Sequence, residues 1–384
     1  MTHQAPKLRA MLDALIAAPT VSSINPALDQ SNRPAILLLA SWLESAGFRV
    51  EELEVPGHPG KSNLVATLGS GPGGLVLSGH TDTVPFNGEL WNHDPLKITE
   101  DGGRLYGLGT SDMKSFLGLA IEAARGLTAK DLTAPLTILA TADEESAMTG
   151  ARALADAGRP LGRYAVIGEP TGLRPVRMHK GVMGESIKLI GRSGHASDPS
   201  LGNSALEGMH EVLGELFVWR KELQENYRHP GFRIPYPTIN PGHIHGGDNP
   251  NRICGDCELH LDLRVLPGLA IEDLRAELTT RVERVAERRG LQWQVRPLFE
   301  GIPPIETPEE SEIVKAGERL TGHSAEAVNF GTEAPFFDRL GMETLILGPG
   351  DIAQAHQPDE FLEMDRIPPT LELLRGLIRW FCQQ

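Results

Sequence analysis

Short runs of consecutive apolar residues alternate along this chain with stretches whose apolar positions recur every three to four residues. The runs Leu75–Leu77, Leu136–Ala140, Tyr164–Ile167 and Thr344–Leu347 have the length and β-rich composition of strands buried on both faces. Helical periods fall around them. Leu8, Met11, Leu12, Leu15 and Ile16 share one face of a first helix. Ala35–Ala46, the stretch carrying Phe116, Leu117, Ala120, Ile121 and Ala124, and Ser311–Leu320 give three more. This alternation predicts an α/β fold: a mostly parallel twisted sheet flanked by helices.

The pattern changes between about 181 and 300. Glu185–Ile190 and Glu258–Val265 alternate polar and apolar residues, and a last strand runs near Leu291–Val295. One intervening helix presents Leu206, Met209, Leu213, Leu216 and Phe217, and another presents Ile271, Leu274, Leu278, Val282 and Val285. One-sided alternation predicts a two-layer α+β domain with helices on one face of its sheet. That domain, 181–300, is inserted between the two parts of the larger one, 1–180 and 301–384.

Charge narrows the partners. The 384 residues include 51 Asp plus Glu against 36 Lys plus Arg, a formal charge of −15. Such a surface repels phosphate backbones and anionic lipid, so neither nucleic acid nor membrane is expected as a partner. No apolar run approaches the ~18 residues of a membrane helix. Lys7 and Arg9 before an apolar stretch imitate an export signal, but Asp13 interrupts it and the spacing is that of an amphipathic helix. Three cysteines cannot build a disulfide framework, and a reducing, cytoplasmic location is expected. Cys254-x-x-Cys257 has no second Cys or His pair at zinc-motif spacing.

Polar clusters follow each buried strand of the larger domain. Leu75–Leu77 leads into Ser-Gly-His80-Thr-Asp82-Thr-Val-Pro, and Leu136–Ala140 into Asp143-Glu144-Glu145. Tyr164–Ile167 leads into Gly168-Glu169-Pro170, and Thr344–Leu347 into a loop reaching His356-Gln-Pro-Asp-Glu360. A fifth segment, Gly-Leu-Gly-Thr-Ser-Asp112-Met-Lys, places Asp112 at a helix start. Taken singly, these have ordinary explanations: a solvated acidic face, a helix cap, a turn histidine. Solvated faces have no reason to recur just past buried strands, whereas ligands of open α/β sheets bind at the strands' carboxyl ends. Two His and several carboxylates converging there make a site for a divalent metal of borderline to hard character. His80 and Asp82 share a face of an extended segment, so the carboxylate can orient the imidazole. Glu144 and Glu145 are adjacent and must point differently, which lets one bind metal while the other acts as a base.

These motifs, in this order over nearly the whole chain, resemble the di-metal amidohydrolase and exopeptidase family. That family takes in acetylornithine deacetylases, succinyl-diaminopimelate desuccinylases, aminoacylases and carboxypeptidases. Leu28–Asn32, Gly168–Lys180, Gly246–Cys254 and Val328–Phe336 look most like its deacetylase branch. The resemblance implies two divalent ions, zinc first and cobalt second. One would be held by His80, Asp112 and Glu169, the other by Asp112, Glu145 and His356, with Asp112 bridging. It implies Asp82 behind His80, and Glu144 as general base for the water shared by the metals. His195 would donate to the oxyanion across a dimer interface, and Arg252, beside Asn251, would clamp a substrate α-carboxylate. Gly331 and Thr332 would line the acyl or amine pocket. The inserted domain would serve as lid and homodimer contact. His243-x-His245 lacks accompanying carboxylates and reads as structural or substrate-adjacent.

The activity implied is hydrolysis of an N-acetylated amino acid, N-acetyl-ornithine first, in arginine biosynthesis. Within the family the rivals are succinyl-diaminopimelate, acetylcitrulline and a broader range of N-acyl amino acids. A non-catalytic, metal-binding dimeric scaffold is the alternative of another class. A serine or cysteine nucleophile has no support, because no Gly-x-Ser-x-Gly elbow occurs.

Overall fold

A computed structural model of the chain describes residues 5–383. Its contacts divide the chain into two compact units. One runs up to Arg177 and resumes over Thr307–Glu326 and from Thr332 onward; the other comprises Met178–Glu306 and Ala327–Gly331.

The first unit is built on a mixed sheet. Its strands lie in the order Arg49–Glu54, Ser62–Leu68, Leu136–Thr141, Leu75–His80, Tyr164–Ile167 and Glu343–Ile346. The last four are mutually parallel, and the first two add antiparallel partners at one side. Leu75, Leu77, Leu136, Ile138, Tyr164, Val166 and Leu345 face one core, shared with helices Leu8–Ala17, Arg33–Ser45, Lys114–Ala123, Glu312–Thr321 and Ile367–Cys382. The residues between them, such as Val76, Leu139 and Ala165, are buried as well. Burial on both faces is why these strands read as unbroken apolar runs rather than alternating ones.

The α/β layering is as expected, but two elements escaped the pattern. Arg49–Glu54 is polar apart from Val50 and Leu53, because an edge strand half open to solvent needs little apolar surface. A three-stranded sheet of Thr99–Asp101, Arg104–Tyr106 and Phe361–Glu363 is too short to show a period.

The second unit has a four-stranded antiparallel sheet in the order Thr238–Gly246, Asp256–Val265, Gly181–Ile190, Gln292–Pro297. Helices Ala205–Asn226 and Ile271–Arg289 form a core with Ile187, Leu189, Cys257, Leu259, Leu261 and Leu263. Glu207, Glu211, Glu215 and Glu222 on the first helix meet Arg289, Arg288, Arg284 and Arg281 on the second. The buried stripe of Ala205–Asn226 differs in phase from the sequence pattern. Ala205, Met209, Val212, Leu216, Trp219 and Leu223 face inward, while Leu206 and Phe217 are exposed. A stepping of four and three residues keeps one seam against the partner helix, and the two misassigned residues lie one position off it. Cys254 and Cys257 are free and buried in this core.

Gly168 ends a central strand where the main chain crosses Phe116. A Cβ there would lie 2.0 Å from the Phe116 ring. Gly168→Ala is therefore expected to overpack the site and cost about 1–3 kcal/mol. Urea unfolding of the two proteins measures it, and an unchanged midpoint would contradict the assignment of Gly168 as a spatial requirement.

Candidate metal centre

Because four strands run parallel, their carboxyl ends lie along one edge, and the polar clusters that follow them are delivered to it. His80 is the last residue of Leu75–His80 and is fully buried. Its Nδ1 donates to the main-chain carbonyl of Asp82 at 3.0 Å, which leaves the Nε2 lone pair facing inward in the neutral ring. Nε2 lies 3.1 Å from Asp112 Oδ1. The Asp82 carboxylate stands behind the ring, its Oδ1 3.8 Å from Nδ1, while Oδ2 accepts the Glu145 N–H at 3.0 Å. Asp82 thus holds both the imidazole, chiefly through its own carbonyl, and the turn that carries the two glutamates.

On the other side of Asp112, Oδ2 lies 3.6 Å from His356 Nε2, which is 2.9 Å from Glu145 Oε2. The two Asp112 oxygens therefore face different histidines, the disposition a bridging carboxylate requires. Ligating atoms of His80, Asp112 and Glu145 lie within 4.8 Å of one another, and so do those of His80, Glu144 and Glu169. Glu144 thus stands on the His80–Glu169 side of the centre and Glu145 on the His356 side.

Burial pushes the Glu144 and Glu169 carboxyls well above the usual carboxylate range and raises Glu145 less; neighbouring carboxylates add to each shift. Oε1 of Glu169 is buried without a hydrogen-bond partner. An orphaned carboxylate oxygen among two imidazoles and several crowded acids is the donor set of a divalent cation site, and the residues fit such a group. Backbone conformation is spent on this arrangement too: Asp143 and His356 take φ of 65° and 60°. Asp143 turns away from the centre and anchors its loop through Ser22, Lys61 and Thr149.

Three buried groups around the centre had no assigned role in the sequence. Glu360 accepts three main-chain N–H groups of the Asp112 loop. Glu333, its carboxyl pushed by burial to about 8, accepts the Thr141 hydroxyl at 2.8 Å, and its Oε1 has no partner. Lys114 Nζ donates to the carbonyls of Leu15 and Ala18, tying the first helix to the Asp112 segment. The available signal was an isolated charge inside an apolar stretch, as in Thr332-Glu333-Ala334-Pro335-Phe336.

The remaining candidates divide between the units. Thr332 is buried in the first, with its hydroxyl accepting the Ala334 N–H. Gly331 belongs to the second, near Ile302 and Val182. His195, Asn251 and Arg252 sit together in the second unit: His195 and Arg252 form an isolated bridge, and the Asn251 carbonyl accepts the Ala196 N–H. His195 Nδ1 accepts the Ser197 N–H at 3.2 Å, so the neutral ring carries its proton on Nε2. Arg252 is paired with Asp248 at 2.6 Å on the surface. His243 and His245 lie on an exposed edge strand, in no metal-competent group among the described residues.

Residues 76–380 match the model of peptidase family M20/M25/M40, and the chain belongs to that family. It is 51% identical over 377 residues to an acetylornithine deacetylase of Pasteurella multocida, covering 98% of each chain. It is 49% identical over 384 residues to an acetylornithine deacetylase of Edwardsiella ictaluri, covering all of both. Among solved structures, an aminopeptidase PepT of Bacillus cereus has the same fold, with a TM-score of 0.76 at 21% identity over 97% of each chain. A Bacillus subtilis protein described as a dinuclear metal-binding M20 peptidase superposes with a TM-score of 0.67 at 15% identity, over 97% of this chain and 96% of that one.

Metal uptake by this centre is expected to release protons. The hydrogen bond to Glu145 raises His356 from its ordinary 6.5 to about 8 although burial opposes it, so the metal-free ring is protonated at neutral pH. Its contribution to metal-free stability is present below 6.5 and lost as pH rises through about 8. Apparent metal affinity should therefore climb as pH rises through about 8. Calorimetric titration in buffers of different ionisation enthalpy checks this; a heat independent of buffer would contradict it.

Proposed function

We propose that this protein is a metal-dependent amide hydrolase that removes the acetyl group from N2-acetyl-L-ornithine, giving ornithine and acetate in arginine biosynthesis. The observation carrying this reading is Asp112 set between His80 and His356, in a chain about half identical over its full length to acetylornithine deacetylases. His80, Asp112 and Glu169 hold one divalent ion, and Asp112, Glu145 and His356 the other, zinc before cobalt. Asp112, Glu144, Glu145 and Glu169 bring four formal negative charges, which two divalent cations match. When bound, such ions polarise the amide carbonyl and bring the pKa of water down to about 7.

The chain's own groups do the rest. Glu144 takes a proton from the attacking water and returns it to the leaving nitrogen, a role that requires it to stay off the ions. Its burial suits a carboxyl that must hold that proton between the two steps. His195, with its proton on Nε2, donates to the oxyanion. Arg252 exchanges Asp248 for the substrate α-carboxylate, with Asn251 beside it. Gly331 and Thr332 line the acyl or amine pocket. The inserted unit, as lid and homodimer contact, brings His195 from the partner subunit. Among the described residues no helix is long and apolar enough to cross a membrane, and we place the protein in the cytoplasm.

Glu144→Ala should retain its metal content by elemental analysis while kcat falls by about 10²–10⁴-fold. Undiminished turnover would eliminate Glu144 as the base, and lost metal would make it a ligand. On a panel of acetylornithine, acetylcitrulline and succinyl-diaminopimelate, acetylornithine should give the highest kcat/KM. A clear preference for either other substrate would replace the name of the reaction but not its class.

A further inference from the structure

Glu360 lies four residues beyond His356, is buried, and spends its whole carboxylate on one loop. Oε2 accepts the Gly109 N–H at 2.9 Å, and Oε1 accepts those of Ser111 at 2.7 Å and Asp112 at 2.9 Å. Its own carbonyl accepts the Gly107 N–H at 2.9 Å. The next residues, Phe361–Glu363, pair in register with Arg104–Tyr106, so the side chain enters the loop from a fixed main chain. At the other end of the His356 segment, Ser111 Oγ accepts the Asp351 N–H at 2.9 Å. The Asp112 loop and the His356 loop, some 240 residues apart in sequence, are thus stitched together on both sides of His356.

We infer that Glu360 is the positioning residue that sets the Asp112 carboxylate between the two metal positions. Its carboxylate hydrogen bonds go to main-chain N–H groups and not to a candidate ligand side chain. It acts through the main chain: three N–H bonds to one buried carboxyl fix the orientation of the peptides leading into Asp112, and hence where its two oxygens point. The same residue carries the strand that delimits the His356 loop, so one carboxylate fixes a shared ligand and the distance to a ligand of the second ion. Groups that orient ligands from behind in this way are worth about ten- to a hundredfold in metal affinity. The inference rests on the metal-centre reading given above.

The test uses the full-length protein stripped with chelator and titrated with cobalt(II), comparing the parent with Glu360→Gln and Glu360→Asp. Gln presents an NH2 group to one of the three N–H donors, and Asp is one methylene too short to reach them. Glu363→Gln, which alters a half-buried pair with Arg104, is the control. Both Glu360 variants should bind cobalt at least about tenfold more weakly than the parent. Their visible cobalt absorption should be altered in shape, and kcat should fall with KM little changed. Glu363→Gln should match the parent in all three. Parent-like affinity and spectrum in both variants would overturn the inference while leaving the metal centre standing. Loss of the folded state in both, seen by circular dichroism of the metal-free proteins, would also overturn it, because Glu360 would then determine the fold and not the ligand. A parent that takes up no cobalt would instead sink the metal-centre reading itself.

Discussion

Crowding of like charges at the carboxyl edge of a parallel sheet is the constraint around which the rest of the first unit is arranged. Asp112, Glu144, Glu145 and Glu169 lie in two groups whose facing atoms are within 4.8 Å of a shared histidine and of one another. At such separations two unit charges repel by about 3–4 kcal/mol at an effective dielectric of about 20. A few such pairs approach the 5–15 kcal/mol net stability of a typical domain. Protons or cations must offset that repulsion. Burial raises the proton affinity of these acids, while the inward-facing Nε2 of His80 and the orphaned Glu169 oxygen supply donors a divalent ion needs. The site is therefore costly when undressed and favourable when loaded, as a metal enzyme's centre should be.

Holding mutually repelling groups in place requires that their supports be rigid, and the surrounding polar residues supply this. Asp82 braces the glutamate turn, Glu360 braces the Asp112 loop, and Glu333 reaches Thr141 at the strand end that precedes the glutamates. Asn32 ties Ser62 and Thr81 together beside the same edge. Nearly every one of these partners is a main-chain amide or a hydroxyl, so the candidate ligands are held by the surrounding scaffold as well as by their contacts with one another.

The second unit solves a different problem. Its sheet is open on one face, and its two helices are held in phase by an apolar seam and a row of Glu–Arg pairs. Surface pairs of this kind are individually worth less than about 1 kcal/mol. Their repetition along both helices fixes register rather than adding much stability. His195 and Arg252 sit at the same bridge in a loop region of this unit, so any movement of the loop shifts both together.

Much was legible from residue order. The central strands were visible because burial on both faces forces unbroken apolar runs, and most candidate ligands because their polar clusters follow such runs; Asp112 stood instead at a helix start. The family and its reaction class followed from motifs that local chemistry keeps short and contiguous. Edge strand Arg49–Glu54 was not legible, since a half-solvated strand leaves little apolar trace, and the phase of Ala205–Asn226 was misread because two apolar side chains face solvent at little cost. Nor was the work of Glu360 and Glu333, whose partners lie some 190–250 residues away. Sequence alone determined the family and which side chains are candidates for the chemistry, because ligand and base chemistry dictates their types. Only the tertiary structure decided which oxygen of Asp112 faces which histidine and what holds it there, because that depends on distant main-chain donors that no local pattern encodes.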